Sequence, residues 1–364
     1  MKRPSREARG LGLAKRVLFS LAILVAALIL VEIGFRALAR RLGVDPVAVG
    51  RFRDFVWTGK SPYFEPRAFV SFVHRAGLPG VTSQGFVSAD YPVERGPSTL
   101  RIACLGGSTT ESLTAEGLAG TYPSLLEGYI RKSGRTDAQV MSFGMPAWTT
   151  AETMVNYFIR VQDYAPDIVI LHHAVNDVAA RMWPGYRDDY SHFRIPWREP
   201  RFGLLYRVIV RASDLAAWIE TRRLGGVDVT TFVDRHVERS LVERPIAPET
   251  SRAFRRNVRT VCRHVRLEGG FPVLVTMPYD LDATAYENHK RGIEEHNEIL
   301  RDLAKEEEFL LVDAAADARE RWLAWKPQFV DIVHLTKEGN RRKAALIVRA
   351  LAGAGLLDTA ARRK

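Results

Sequence analysis

The chain has 364 residues, 46% of them hydrophobic and 26% charged, an ordinary globular composition with room for one large domain or two modest ones. Its two cysteines, Cys104 and Cys262, exclude a disulfide framework, and both sit in apolar contexts that suit buried free thiols. The formal net charge of +11 does not argue for nucleic acid, because much of the excess lies in the N-terminal tail, in Arg341-Arg342-Lys343 and in Arg362-Arg363-Lys364.

Residues 1–16 form a basic tail carrying Lys2, Arg3, Arg6, Arg9, Lys15 and Arg16. Residues 17–39 are an apolar run, uncharged from Val17 to Val31 and extending past Glu32 to Phe35, long enough to span a bilayer. The preceding basic residues place the N-terminus in the cytoplasm and the rest of the chain outside it, although Arg36, Arg40 and Arg41 reduce the asymmetry. Ala37-Leu38-Ala39 also has the form of a signal-cleavage site, and a buried helix of a cytosolic protein is a third reading. Glu32 and Arg36, intruding between the run and that site, favour an uncleaved anchor over secretion.

Residues 42–99 carry aromatics and turn formers, among them Trp57, Pro62, Tyr63, Pro66, Gly80, Gly85 and Pro92, without helical periodicity; they read as an extended, strand-containing lead-in. From Leu100 the pattern becomes strands alternating with helices, the sign of a parallel sheet covered on both faces. Strands are expected at Leu100–Leu105, Gln139–Phe143, Ile168–Leu171, Phe271–Met277 and Phe309–Val312. Helices are expected at Tyr122–Arg131, Thr149–Asp163, Asn288–Glu307 and Lys337–Leu351. Between Asp177 and Phe271 the chain runs roughly ninety residues, far beyond a crossover's need, so an insertion is assigned at about 182–266. It holds Trp183-Pro184-Gly185-Tyr186, Pro196-Trp197, helical stretches from Leu204 to Ile219 and a turn at Gly225-Gly226, and suits either a substrate wall or a structural subdomain.

Ser108 follows a strand and the pair Gly106-Gly107, where a tight turn exposes a hydroxyl and its own N–H. A phosphate-cradling turn or a helix N-cap fits the same residues. No G-x-x-x-x-G-K follows, and Thr110 occupies the second glycine position of G-x-S-x-G. His334 is a candidate base, with Asp331 three residues earlier able to accept its Nδ1–H; a metal half-site or a surface pair is the alternative. His172-His173 is a residual metal candidate whose plainer reading is core histidine. Gly144 and Asn176, each just after a strand, can donate N–H groups to a developing oxyanion, or can be ordinary turn residues.

Ser108, Gly144, Asn176 and the Asp331/His334 pair stand in the order and settings of the four blocks of the SGNH (GDSL-like) hydrolase superfamily, which residues 100–350 resemble. The last block, Asp331-Ile332-Val333-His334-Leu335-Thr336 through Gly339-Asn340, is the most specific, and Ser83-Gln84-Gly85-Phe86 is similar to a lead-in of membrane-anchored bacterial members. The resemblance implies an α/β fold, a three-layer α/β/α sandwich with a mainly parallel, flavodoxin-like sheet over 100–357. It also implies ester hydrolysis or acyl transfer without a cofactor. Gly107 departs from the aspartate frequent in the first block, and Ala174 from the glycine usual in the third, where its methyl would adjoin the oxyanion site.

The expected function is therefore that of a membrane-anchored serine esterase. Its catalytic residues are Ser108, Asp331 and His334, its oxyanion donors Ser108, Gly144 and Asn176, and it uses no metal. The expected substrate is an acylated glycan or lipid, with O-acetyl groups preferred by analogy. An O-acyltransferase using the same residues and a non-catalytic envelope binding module are the rivals. The sequence leaves oligomeric state open.

Overall fold

A computed structural model describes residues 6–61, 63–113, 116–193, 203–223, 243–246, 250–322 and 328–358. Pro62, Pro196-Trp197, Gly225-Gly226, and the basic residues Lys2, Arg3 and Arg362-Arg363-Lys364 lie outside them. The chain divides into two compact units, Tyr63–Arg198 with Phe232–Lys364, and Met1–Pro62 with Glu199–Thr231.

The larger unit opens with an antiparallel hairpin, β1 (Phe64–Arg67) and β2 (Val70–His74). Five parallel strands follow: β3 (Arg101–Gly106), β4 (Gln139–Gly144), β5 (Ile168–His172), β6 (Phe271–Val275) and β7 (Leu310–Val312), ordered β4-β3-β5-β6-β7. Each expected strand is present within a residue or two at its ends. Their largely apolar composition suits burial on both faces, which a parallel sheet requires. Alternation then sorts the side chains. Ala103, Leu105, Val169 and Leu171 join one core cluster, while Ile102, Cys104, Ile168 and Ile170 join the other. Helices Thr150–Ile159, Arg252–Leu267 and Glu287–Glu307 contribute to the first face, and Tyr122–Lys132 and Lys337–Gly353 to the second.

The order makes a switch point between β3 and β5. The chain leaves β3 toward β4 on one side, and from β5 it proceeds toward β6 on the other, so the loops after β3 and β5 diverge and leave a crevice at the carboxyl edge. In register, Gly106 at the end of β3 is level with Gly144 on one side and His172 on the other.

At the opposite end of β3, Arg101 is fully buried. Its guanidinium donates to the carbonyls of Pro92 (2.8 Å), Val93 (2.7 Å), Glu94 (2.8 Å) and Tyr164 (2.8 Å), and to Gln139 Oε1 (3.1 Å). The lead-in is thus fastened to the sheet by a five-donor fork whose geometry no lysine reproduces.

Two expectations are corrected. The helix expected over Thr149–Asp163 ends at Ile159, where Arg160 leaves helical geometry (φ −145°) and a 3-10 turn, Val161–Tyr164, takes over. The lead-in is not extended throughout, because Pro46–Thr58 is a helix. Asp45 caps it by accepting the Val47 N–H at 2.8 Å, Pro46 starts it, and Gly59 ends it at φ 72°. Val49, Phe52, Phe55 and Val56 supply the helical stripe that the neighbouring turn formers obscured.

That helix belongs to the smaller unit, with Arg6–Leu38, Leu204–Ala212 and Asp214–Arg223. The last two come from the insertion, so this part of it groups with the N-terminal helices instead of the sheet domain. Lys15–Leu38 is long and apolar enough to cross a membrane, and Val17–Val31 is exposed throughout.

Replacing Arg101 by methionine leaves four inward carbonyls without their donor. The variant should lose about 3 kcal/mol or more in denaturant unfolding, and a loss below about 1 kcal/mol would show that the fork contributes little.

Candidate active site

Ser108 begins the short helix Ser108–Glu111 directly after β3. Thr110 Oγ1 donates back toward His172 O (3.2 Å), and the buried Glu111 carboxylate meets His74 Nε2 at 2.8 Å, so both the sheet and the hairpin brace this turn. A buried amine approaches from the other side. Lys343, on the core face of Lys337–Gly353, donates to Thr109 O at 2.9 Å and lies 4.0 Å from the centre of the Tyr122 ring. Burial pulls the Lys343 amine down to about 7, opposed by the Cys104 thiol. Three residues earlier on the same face, Asn340 donates to Ser112 O (3.2 Å) and Gly120 O (3.1 Å).

His334 approaches the turn from the C-terminal loop. Its Nε2 lies 2.8 Å from Ser108 Oγ and its Nδ1 2.7 Å from Asp331 Oδ2. Asp331 Oδ1 accepts the backbone N–H groups of Val333 (2.9 Å) and His334 (2.8 Å), folding the D-x-x-H segment into a turn that presents the ring. Burial would raise the Asp331 pKa. The bonds from the His334 ring and from the two backbone donors outweigh that and hold the carboxyl at about 2. Asp331 therefore stays an acceptor, which fixes the His334 proton on Nδ1 and leaves Nε2 free to accept from Ser108. The side chains of His334 (38% exposed) and Asp331 (48%) open to solvent.

The other two marked residues close on the same turn. Gly144 packs so tightly that a Cβ there would sit 2.2 Å from Glu111 N and 2.7 Å from the Thr110 carbonyl carbon. Asn176, in the first turn of Val175–Met182, donates to Trp148 O at 2.8 Å, leaving its second amide hydrogen for another acceptor. A Cβ on Gly107 would lie 2.5 Å from Asn176 Nδ2, so glycine at this departure from the family pattern lets the amide approach the turn. The methyl of Ala174, expected near the oxyanion site, is buried in a cluster with Ile332 and Val333, the two residues between Asp331 and His334.

Behind Asn176 lies a buried polar shell of which the sequence flagged only His172 and His173. Asp177, fully buried, accepts from Thr150 N (3.1 Å to each oxygen) and Thr150 Oγ1 (2.5 Å), and burial drives its pKa up to about 7. His173 lies 3.8 Å from Asp177 and contacts Thr153 Oγ1 at 2.8 Å; burial lowers it to about 3. His172 Nδ1 lies 3.2 Å from Val275 O, so both rings of the residual metal candidate are engaged by the protein. Arg181 donates to His296 Nε2 (3.0 Å), whose Nδ1 in turn meets Ala174 O (3.2 Å) just before Asn176. The available signal was a polar residue on the core face of an amphipathic helix, as with Asn340 and Lys343 beside Ala344, Ile347 and Leu351.

The model of the GDSL-like lipase/acylhydrolase family matches residues 104–342. The chain belongs to that family, and is a hydrolase by class. Its fold is similar to that of the lipase/acylhydrolase from Enterococcus faecalis, at 18% identity, with 70% of this chain and 97% of that one covered and a TM-score of 0.46. It is also similar to the acetyl xylan esterase AlAXEase (18%, 69% and 100%, 0.43) and to Axe2, an acetylxylan esterase from Geobacillus stearothermophilus (15%, 70% and 95%, 0.45). Comparison with curated proteins finds no match.

Because the folded-state pKa of Asp177 is raised, its contribution to stability is fully present below its unfolded value near 4 and is lost as pH rises through about 7. Burial lowers His173 to about 3, which contributes the opposite trend over much of that range, so the difference between the two proteins is what reports on Asp177: Asp177→Asn should gain stability relative to the wild type as pH rises from about 4 to about 7 in denaturant titrations. An unchanged pH profile would show that Asp177 does not carry that titration.

Proposed function

We propose that this protein is a membrane-anchored serine esterase that cleaves a carboxylic ester through an acyl-enzyme. The observation that carries the proposal is the continuous chain from Ser108 Oγ through the His334 ring to Asp331, with both links under 3 Å. In the proposed cycle Ser108 Oγ attacks the ester carbonyl while His334 Nε2 takes its proton, and Asp331 orients the ring and stabilises the imidazolium. The proton passes to the leaving alcohol. Water, activated by the same nitrogen, then adds to the acyl carbonyl and releases the acid and free Ser108.

The developing oxyanion is received by the Ser108 N–H, the Gly144 N–H and the free hydrogen of the Asn176 amide. Gly144 N lies 3.5 Å from Ser142 Oγ, a long contact that a charged oxygen would readily displace. The exposure of His334 and Asp331, with Val330 beside them 73% exposed, supports an ester carried on a bulky alcohol. O-acetyl groups on an envelope glycan or lipid are the proposed class.

Retention of the N-terminal helix as an anchor, with the hydrolase domain outside the cytoplasm, is part of the proposal. Cleavage after Ala39 would remove Glu32 and Phe35. Glu32 accepts from Ser213 Oγ (2.7 Å) and Asp214 N (2.8 Å), and Phe35 is buried with its ring 5.4 Å from Trp218.

Full-length protein in detergent should hydrolyse p-nitrophenyl acetate and butyrate, and Ser108→Ala and His334→Ala should each abolish turnover while remaining folded. Turnover surviving in Ser108→Ala would remove Ser108 as nucleophile. Asn176→Ala should lower kcat about a hundredfold or more with little change in KM. Gly107→Ala, which pushes on the Asn176 amide, should reproduce part of that loss. Full kcat in both variants would take Asn176 out of the transition state.

A further inference from the structure

The smaller unit ends its apolar helix in an unusual way. Glu32, an acid within the apolar run, is the acceptor at the start of helix Asp214–Arg223, taking bonds from Ser213 Oγ, Asp214 N and, at 3.3 Å, Leu215 N. Arg36 pairs with both Glu32 (2.8 Å) and Asp214 (3.1 Å), and Arg53 also pairs with Asp214. Arg207 lies 4.8 Å from the centre of the Trp57 ring, and Arg211 pairs with Asp54 at 2.6 Å. The last turns of the apolar helix thus carry a collar made of Pro46–Thr58, Leu204–Ala212 and Asp214–Arg223.

Length decides where that collar must sit. The bare stretch Val17–Val31 is 15 residues, about 22 Å of helix, whereas the hydrocarbon core is about 30 Å thick and takes about 20 residues to cross. The deficit is made up by Glu32–Leu38, the turns that hold the collar. Glu32 is tolerable at that depth because its carboxylate is already bonded.

The collar's outer surface matches such a position. On Leu204–Ala212, Leu204 (70% exposed), Leu205 (75%), Val208 (46%) and Ile209 (49%) recur at i, i+1, i+4 and i+5, a single face turned away from the buried Val210. Exposed Arg40 and Arg41 follow the apolar helix and suit anionic headgroups. We propose that this collar is an interfacial lipid-binding surface. It lies at the boundary between headgroups and acyl chains of the outer leaflet, with the Leu204/Leu205/Val208/Ile209 face in lipid. The inference rests on the reading that Val17–Val31 lies within a bilayer, and adds a second, lateral contact with it.

The test uses the full chain in vesicles of phosphatidylcholine and phosphatidylglycerol, with an environment-sensitive fluorophore on Leu205→Cys, on Val208→Cys, or on Ala26→Cys as the reference for the span. Cys104 and Cys262 are fully buried, so labelling selects the introduced thiol. The labels at 205 and 208 should show blue-shifted emission and lose more fluorescence to lipids spin-labelled near the headgroup than to lipids labelled near the acyl end. The label at 26 should show the reverse order. If 26 is quenched by deep labels while 205 and 208 report water, the span stands and the collar proposal falls. Dry emission at 205 and 208 without lipid quenching would mean that protein covers the face, and would overturn the proposal too. A label at 26 insensitive to either lipid would remove the anchor itself.

Discussion

Everything at this site depends on three strand ends finishing level. Gly106, Gly144 and His172 share one register line, and the reversal of connection direction between β3 and β5 sends the chain away from it on opposite sides. A shift of one residue in either parallel pairing would turn every core side chain of a strand to the wrong face, so the two apolar layers enforce the register that the chemistry uses. Hydrophobic burial far from the crevice thereby sets where the Ser108 turn begins relative to Gly144 and Asn176.

Around that line the protein spends unusual effort on immobilising backbone. The Ser108 turn is held by Thr110 from the sheet, by Glu111 with His74 from the hairpin, and by Lys343 and Asn340 from the C-terminal helix. Burying an ammonium is costly, and Lys343 lowers that cost by resting on the Tyr122 ring and donating to a carbonyl. On the Asn176 side the same work falls to Arg181, His296 and Asp177. The His334 and Asp331 side chains are thus open to solvent, while the groups that hold the turns around them are buried and polar.

The strands and the C-terminal half of the site were legible because the signals are local. Apolar runs alternate with helical stretches and three of them adjoin glycine, and Asp331 and His334 lie three residues apart, as one turn requires. What stayed hidden depends on partners distant in sequence. The partners of His74 and Glu111 are 37 residues apart, those of Lys343 and Thr109 234, and no periodicity links them. The helix Pro46–Thr58 was missed for a different reason. Its stripe is short, and the aromatics and prolines that follow it dominate any window wide enough to average. The destination of the insertion was invisible because its fit to the N-terminal helix rests on a few single-residue meetings, Glu32 with three donors, Arg36 with Asp214 and Phe35 with Trp218, that leave no periodic trace.

The placement of Glu32 bears on how a shortened form of the protein can be prepared. Trimming the chain after residue 41 is the obvious route to a soluble enzyme, but it would strip helix Asp214–Arg223 of its capping acceptor, leave Asp214 without Arg36, and uncover Trp218 where Phe35 had rested. Such a truncated protein would carry an orphaned, sticky pair of helices into solution. A well-behaved soluble form has to lose the whole of that unit, the N-terminal helix and Pro46–Thr58 together with the 203–223 segment, because the protein treats them as one part.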